Sequence, residues 1–276
     1  MRERQLNRAA LRASPRRVNV GTMLNILRQK LHEQGLDGLW VAKPENVRYL
    51  SGFTTPSDAK ILVTHKEILL YTDARYSAQA RLESKIPFAV KRFEEVLEHA
   101  KQLTADKKIG FESDAVLYSS FEELQKGLGA SSLVATTGFI EALRAIKTPQ
   151  ELDAIRRAAQ IADAALESVL PLLQVGIQER EFALELEFAM RRMGAQAAGF
   201  EIIVASGERS AMPHGTASAR CIQDGDLVTI DWGALLDGYH SDCTRAFAVG
   251  QVSDKLRSMY NAVLEANLLV LEQVRA

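Results

Sequence analysis

Residues 227–247 read LVTIDWGALLDGYHSDCTRAF. Leu227 to Trp232 is a run of strand formers with an aspartate, Asp231, in its interior, and Tyr239 to Phe247 is a second such run. Between them Asp237-Gly238 suits a two-residue hairpin turn. If that turn closes Leu236 on Tyr239, the numbers of opposite residues sum to 475, so Asp231 faces Thr244 and Asp242 faces Gly233. Asp231 and Asp242 then share one face as diagonal neighbours, with backbones roughly 7–8 Å apart. Gly233, opposite Asp242, is read as leaving room for a site.

Two like charges on one face repel, and a carboxylate inside a strand is costly to desolvate unless it is paired or metal-bound. Alternation sends Arg245 to the other face. A divalent cation or a pair of them is the simpler partner, because hard carboxylate oxygens suit Mn, Mg, Fe or Zn. On spacing alone the alternative stays open that both acids simply face water. Upstream, residues 200–205 read as a strand that runs into the loop Ser206 to Gly215, which carries His214. A single histidine after proline is by itself more often structural or solvated than functional.

Further out, Phe182, Leu186, Ala189, Met190 and Met193 mark one face of a helix over 178–193, stopped at Gly194. Thr148-Pro149-Gln150-Glu151 starts another, with apolar residues expected at Leu152, Ile155, Ala159, Ala162, Leu166 and Val169. A last helix begins at Ser253-Asp254 and bears Leu256, Tyr260, Val263, Leu264, Leu268 and Leu271. In the first half, a helix opening at Met23 ends at Gly35. Gly38 to Ala42 is a buried strand, 61–64 and 68–71 form a hairpin, and helices follow at 73–84, 93–104 and 118–127. This alternation predicts a mixed sheet flanked by helices. Residues 46–53 read as a polar loop between the first two strands, and His32, His65 and His99 as solvated surface residues.

Composition bounds the function classes. With 276 residues, 47% of them apolar and 25% charged, the chain suits two globular domains and excludes disorder. Lys+Arg total 34 and Asp+Glu 35, so no broad field exists to hold nucleic acid or an anionic membrane. No apolar run reaches the ~18 residues of a spanning helix. Two cysteines without CxxC spacing fit a cytoplasmic location. The segment 1–22 is a basic tail, with an Arg-rich organelle leader as the alternative. The expected division is then 23–143 and 144–276.

Residues 200–250 resemble metal-dependent peptidases of the pita-bread fold, family M24, in the Xaa-Pro branch of aminopeptidase P and prolidase. The match takes in the IVASG strand, the PHG loop, the Gly225-Asp226 turn, Asp231 to Gly233 and the GYHSDCTR hairpin, in order. VRYLSGF and Tyr71 to Tyr76 resemble the family's creatinase-like N-terminal domain. The resemblance implies an α/β (α+β) chain, a creatinase-like domain with a mixed sheet followed by the first half of a pita-bread catalytic domain. It also implies two divalent metals, with manganese first and Co, Zn or Fe as alternatives. Asp231 and Asp242 would be the first two of five ligands, and His214 a catalytic residue that hydrogen-bonds substrate without ligating metal. The metals would polarise the scissile carbonyl and activate water to cleave the bond before proline. Proline-containing peptides are the implied partners, and a homodimer the implied assembly.

The family's other ligands, a histidine and two glutamates, find no counterpart after Asp242, where only Asp254, Glu265 and Glu272 remain and no histidine follows. The chain therefore reads as C-terminally truncated and poorly active alone, with no metal bound as one possibility. A non-catalytic peptide-binding or scaffold role is the alternative, and a metal-free creatinase-like enzyme a third, disfavoured because both aspartates are present.

Overall fold

The computed structural model describes residues 20–274, and the chain divides into two compact units between Thr148 and Pro149. The expected basic tail, with its reading as a leader, falls almost wholly outside the described residues. In the first unit the order is α1 (Val20–Glu33), β1 (Gly38–Val41), α2 (Pro44–Ser51), β2 (Ala59–Thr64), β3 (Ile68–Thr72), α3 (Ser77–Glu83) and β4 (Phe88–Val90). Then come α4 (Phe93–Thr104), β5 (Lys108–Glu112), α5 (Tyr118–Leu128), β6 (Ser132–Thr136) and the short α6 (Glu141–Arg144). The six strands form one mixed sheet in the order β4-β3-β2-β1-β5-β6. β1 pairs antiparallel with β2 and parallel with β5, so the sheet changes character at its centre.

Alternation along β1 makes three layers of this unit. Leu39 and Val41 join Leu27, Leu31, Val47 and Leu50 on one face, while Trp40 and Ala42 join Val96, Leu97, Leu124 and Leu128 on the other. The residues expected as a polar loop, 46–53, are instead mostly helix α2. Pro44 opens that helix and Gly52, at φ 76, closes it, an asymmetry characteristic of helices. His99 also departs from the expectation: it is half-buried, and its Nδ1 lies 2.9 Å from the hydroxyl of buried Tyr71. Burial pushes the Tyr71 phenol up to about 12. His32 and His65 are exposed as expected, with their rings edge-on to each other.

The second unit runs α7 (Pro149–Val169), α8 (Glu179–Arg192), β7 (Ala197–Ala198), β8 (Ile203–Ser206), β9 (Leu227–Trp232), β10 (Ala234–Leu236), β11 (Tyr239–His240), β12 (Cys243–Ala248) and α9 (Asp254–Gln273). Two antiparallel three-stranded sheets result, β12-β9-β8 and β11-β10-β7. Phe182, Leu186 and Met190 of α8 pack with Val204, Val228, Ile230 and Trp232, and the Trp232 indole donates to the Ala162 carbonyl at 2.9 Å. The buried face of α7 is Ala154, Ala158, Ala162, Ala165, Leu166 and Val169, turned from the expected stripe so that Leu152 is exposed. Small alanines let the helix axis come close to the sheet, an advantage that apolarity alone does not reveal. α9 has no buried residue.

Among the described residues no helix is long and apolar enough to cross a membrane.

Candidate functional site

The site is built on β9, the middle strand of its sheet. Asp231 stands between Ile203 of β8 and Thr244 of β12. The expected register holds throughout: Leu236 pairs with Tyr239, Trp232 with Cys243 and Asp231 with Thr244. Asp237 and Gly238, at φ 51 and 78, make the turn, and two positive φ values in succession are the hallmark of a type I′ hairpin. Thr244 Oγ1 donates to Asp231 Oδ1 at 2.8 Å, so the two side chains occupy one face. Asp242 precedes Thr244 by two positions and lies at the break between β11 and β12, outside the paired strands.

The hairpin is divided in two at Gly233 and at Ser241-Asp242. Register survives the break because the Ser241 amide donates to the Ala234 carbonyl at 3.0 Å and the Ala234 amide to Ser241 Oγ at 2.9 Å. The sequence reading of Gly233 as leaving room for a site is corrected by the structure, which has no open space there. A Cβ there would lie 2.8 Å from the carbonyl carbon of Ser241 and 2.9 Å from the ring of Phe200. The glycine serves close backbone approach.

Asp231 is half-buried, whereas Asp242 and His214 are exposed. Burial pushes the Cys243 thiol up; Arg245 opposes this, while Asp163, Asp231 and Asp242 add to it. The carboxylates of Asp231 and Asp242 and the Thr244 hydroxyl are hard oxygen donors of the type a divalent cation takes. They do not complete a coordination sphere, and among the described residues no group of three or more His, Cys, Asp or Glu side chains could hold a metal.

His214 sits in a tight turn closed by the Gly215 amide on the Met212 carbonyl at 3.1 Å. The loop bearing it leaves β8 at Ser206 and returns at Ser218, and both ends bond to Glu179, the first residue of α8. Glu179 is fully buried. Burial would raise its carboxyl, but donors from Ser218 and Ser206 outweigh that and hold it below its ordinary value. Alongside, Arg220 pairs with buried Asp226 and reaches the Ser206 hydroxyl. Sequence reasoning missed Glu179. The available signal was its position three and seven residues before Phe182 and Leu186, which places an acid on the apolar face of α8.

Residues 153–276 match the profile of metallopeptidase family M24, and residues 23–146 match the creatinase/prolidase N-terminal domain. Over 89% of its own length and 70% of the relative's, the chain is 37% identical to a Xaa-Pro dipeptidase of Pyrococcus furiosus. The chain belongs to metallopeptidase family M24. Among solved structures, a Xaa-Pro dipeptidase from Bacillus anthracis is similar at a TM-score of 0.85 and 41% identity, over 91% of this chain and 71% of that one. The prolidase of Pyrococcus horikoshii gives 0.83 and 36%, over 88% and 70%. The expected mixed α/β architecture, a creatinase-like domain followed by part of an M24 domain, is that of these prolidases. The M24 match contains the Asp231 hairpin and the first match contains the six-stranded sheet.

Proposed function

We propose that this M24 chain carries part of the site of a metal-dependent peptidase that cleaves Xaa-Pro bonds, with Asp231 and Asp242 as metal ligands and His214 as a substrate-facing catalytic residue. The observation that supports the reading is the register of the hairpin, with Asp231 and Thr244 paired on one face of adjoining strands and Asp242 two residues before Thr244. The names of the similar proteins from Pyrococcus furiosus and Bacillus anthracis supply the substrate class. Two divalent ions, manganese by preference, complete the proposed site, in a cytoplasmic homodimer acting on proline-containing peptides. When bound, the metals supply Lewis acidity toward the scissile carbonyl and lower the pKa of water.

Each residue of the chain has its own part. Thr244, donating to Asp231 Oδ1, leaves the other carboxylate oxygen to a cation and fixes the orientation of the group. His214, exposed on its loop, can donate to a peptide carbonyl or carry a proton at an imidazole nitrogen. Two carboxylates leave most coordination positions to water, so the 276-residue chain alone is expected to bind metal weakly and turn over slowly.

Hydrolysis of a Xaa-Pro dipeptide and of its Xaa-Ala counterpart, with and without manganese, tests the reading. Slow, manganese-dependent cleavage of the proline peptide only, lost in Asp231→Asn, supports it; metal-independent or proline-indifferent cleavage contradicts it. One alternative is a peptide-binding module without catalysis. That alternative predicts manganese-independent binding of Xaa-Pro peptides with no turnover.

A further inference from the structure

We propose that Glu179 is a positioning residue for the His214 loop, a buried carboxylate to which both of its ends are tied, with Arg220 alongside it bonding the same two serines. The loop between Ser206 and Ser218 has little regular structure to hold it: a 3-10 turn over Gly207–Ala211, then no helix or strand. Beyond its short backbone turns, side-chain bonds tie it to the rest of the unit. Glu179 Oε1 accepts from the Ser206 amide at 2.8 Å and from its hydroxyl at 2.7 Å. Oε2 accepts from the Ser218 amide at 3.1 Å, the Ser218 hydroxyl at 2.6 Å and Arg209 Nε at 3.0 Å. One oxygen therefore serves the exit of the loop and the other its return.

Arg209 extends this hold toward His214. Its guanidinium rests on Glu179 through Nε and donates through Nη2 to the Thr216 carbonyl at 2.6 Å, two residues beyond His214. The outgoing and returning arms are thus joined through a single carboxylate. Backbone bonds fix the carboxylate in turn, with the Glu179 amide donating to the Arg220 carbonyl at 3.0 Å and the Arg180 amide to that of Ser218 at 3.0 Å. A buried carboxylate accepting five hydrogen bonds is a rigid post, because each of its donors would be left unpaired if it moved. None of these bonds runs to Asp231, Asp242 or the His214 ring. Glu179 acts through the loop.

The inference rests on the reading of His214 given above, yet the two can fail separately. The test uses the full chain, amide hydrogen exchange and the imidazole resonances of His214, picked out from the five histidines by their absence in His214→Ala. In Glu179→Gln, which puts an NH2 where donors already point, amides over 207–218 should exchange at least about tenfold faster relative to those of Val204 and Ile230. The His214 imidazole resonances should shift with them, and Glu179→Asp should fall in between. Ser218→Ala removes the hydroxyl that donates to Glu179 and accepts from the Arg220 amide, and should show the same localised pattern if Glu179→Gln does not fold. An acceleration spread evenly over β8, β9 and β12, or His214 resonances unmoved in all three variants, overturns the proposal. The catalytic reading of His214 fails on a different observation, unchanged Xaa-Pro cleavage in His214→Ala.

Discussion

Replacing Gly233 by alanine should open the hairpin at the point where its two ladders join. The added Cβ would sit 2.8 Å from the Ser241 carbonyl carbon and 2.9 Å from the Phe200 ring, closer still to the Ser241 oxygen, where ordinary contact begins at 3.4 Å. The obstacle is backbone, which cannot swing aside, so the strands must part by more than half an ångström. Overpacking of this kind costs about 1–3 kcal/mol. Parting also weakens the Ser241–Ala234 backbone bond and the Ala234 to Ser241 Oγ bond, each worth about 1 kcal/mol net. Alanine returns about 0.4–1 kcal/mol by restricting the unfolded chain. The balance is a loss of about 3 kcal/mol, which should lower the urea midpoint of the second unit by about 2 M for an ordinary denaturant slope. Emission from Trp232, buried in that unit's core, follows the transition, and a Trp40→Phe background removes the signal of the first unit. A midpoint within experimental error of the parent would refute the steric argument, and with it the claim that Gly233 is there for backbone approach.

The two buried glutamates should respond to pH with opposite signs. Burial, reinforced by the charge of Glu141, raises the Glu112 carboxyl above 4.5 despite bonds from the Lys43 and Ala42 amides and the Asn46 side chain. Its stability contribution is complete below 4.5 and is lost as pH rises through its elevated folded value, so parent minus Glu112→Gln should decline from pH 4 toward neutrality in first-unit urea midpoints. Glu179 lies below 4.5 when folded, and its contribution is complete above that value and lost as pH falls through the lowered one. Parent minus Glu179→Gln for the second unit should therefore decline on acidification, and a shared sign for the two differences would contradict these environments. α9 leaves Leu264, Leu268 and Leu271 41%, 52% and 65% exposed, so sedimentation at tens of micromolar should give a mean mass above the 30.5 kDa of one chain. Changing the three leucines to glutamine should restore the monomer; a monomeric parent would show that this face is not adhesive.

The hairpin was legible because its turn and its alternation are both local. Asp237-Gly238 fixes the turn type, and a turn fixes every pairing beyond it, so Asp231 opposite Thr244 followed from counting. The strands β5 and β6 were not foreseen. Their pairing is parallel and distant in sequence, and Lys108 to Glu112 offers only a short apolar run that ends in a charge. α2 reads as a loop because its residues are largely polar, yet Pro44 opens it, Gly52 closes it, and Asn46 turns inward to donate to Glu112 at 2.6 Å. Glu179 escaped notice for a related reason. An acid on an apolar stripe reads as an interruption until its donors, from Ser206, Arg209 and Ser218, are seen to come from a loop about thirty residues away.

The central claim is that Asp231 and Asp242 are metal ligands, and manganese titration followed by the electron paramagnetic resonance signal of the free ion tests it without relying on turnover. The 276-residue chain should remove manganese from solution weakly but saturably, and Asp231→Asn and Asp242→Asn should each reduce that affinity about tenfold or more, while Asp254→Asn on exposed α9 leaves it unchanged. Manganese uptake that survives both hairpin substitutions, or that falls equally with Asp254→Asn, would mean that the ion is held by general surface charge and that the two aspartates do not ligate it.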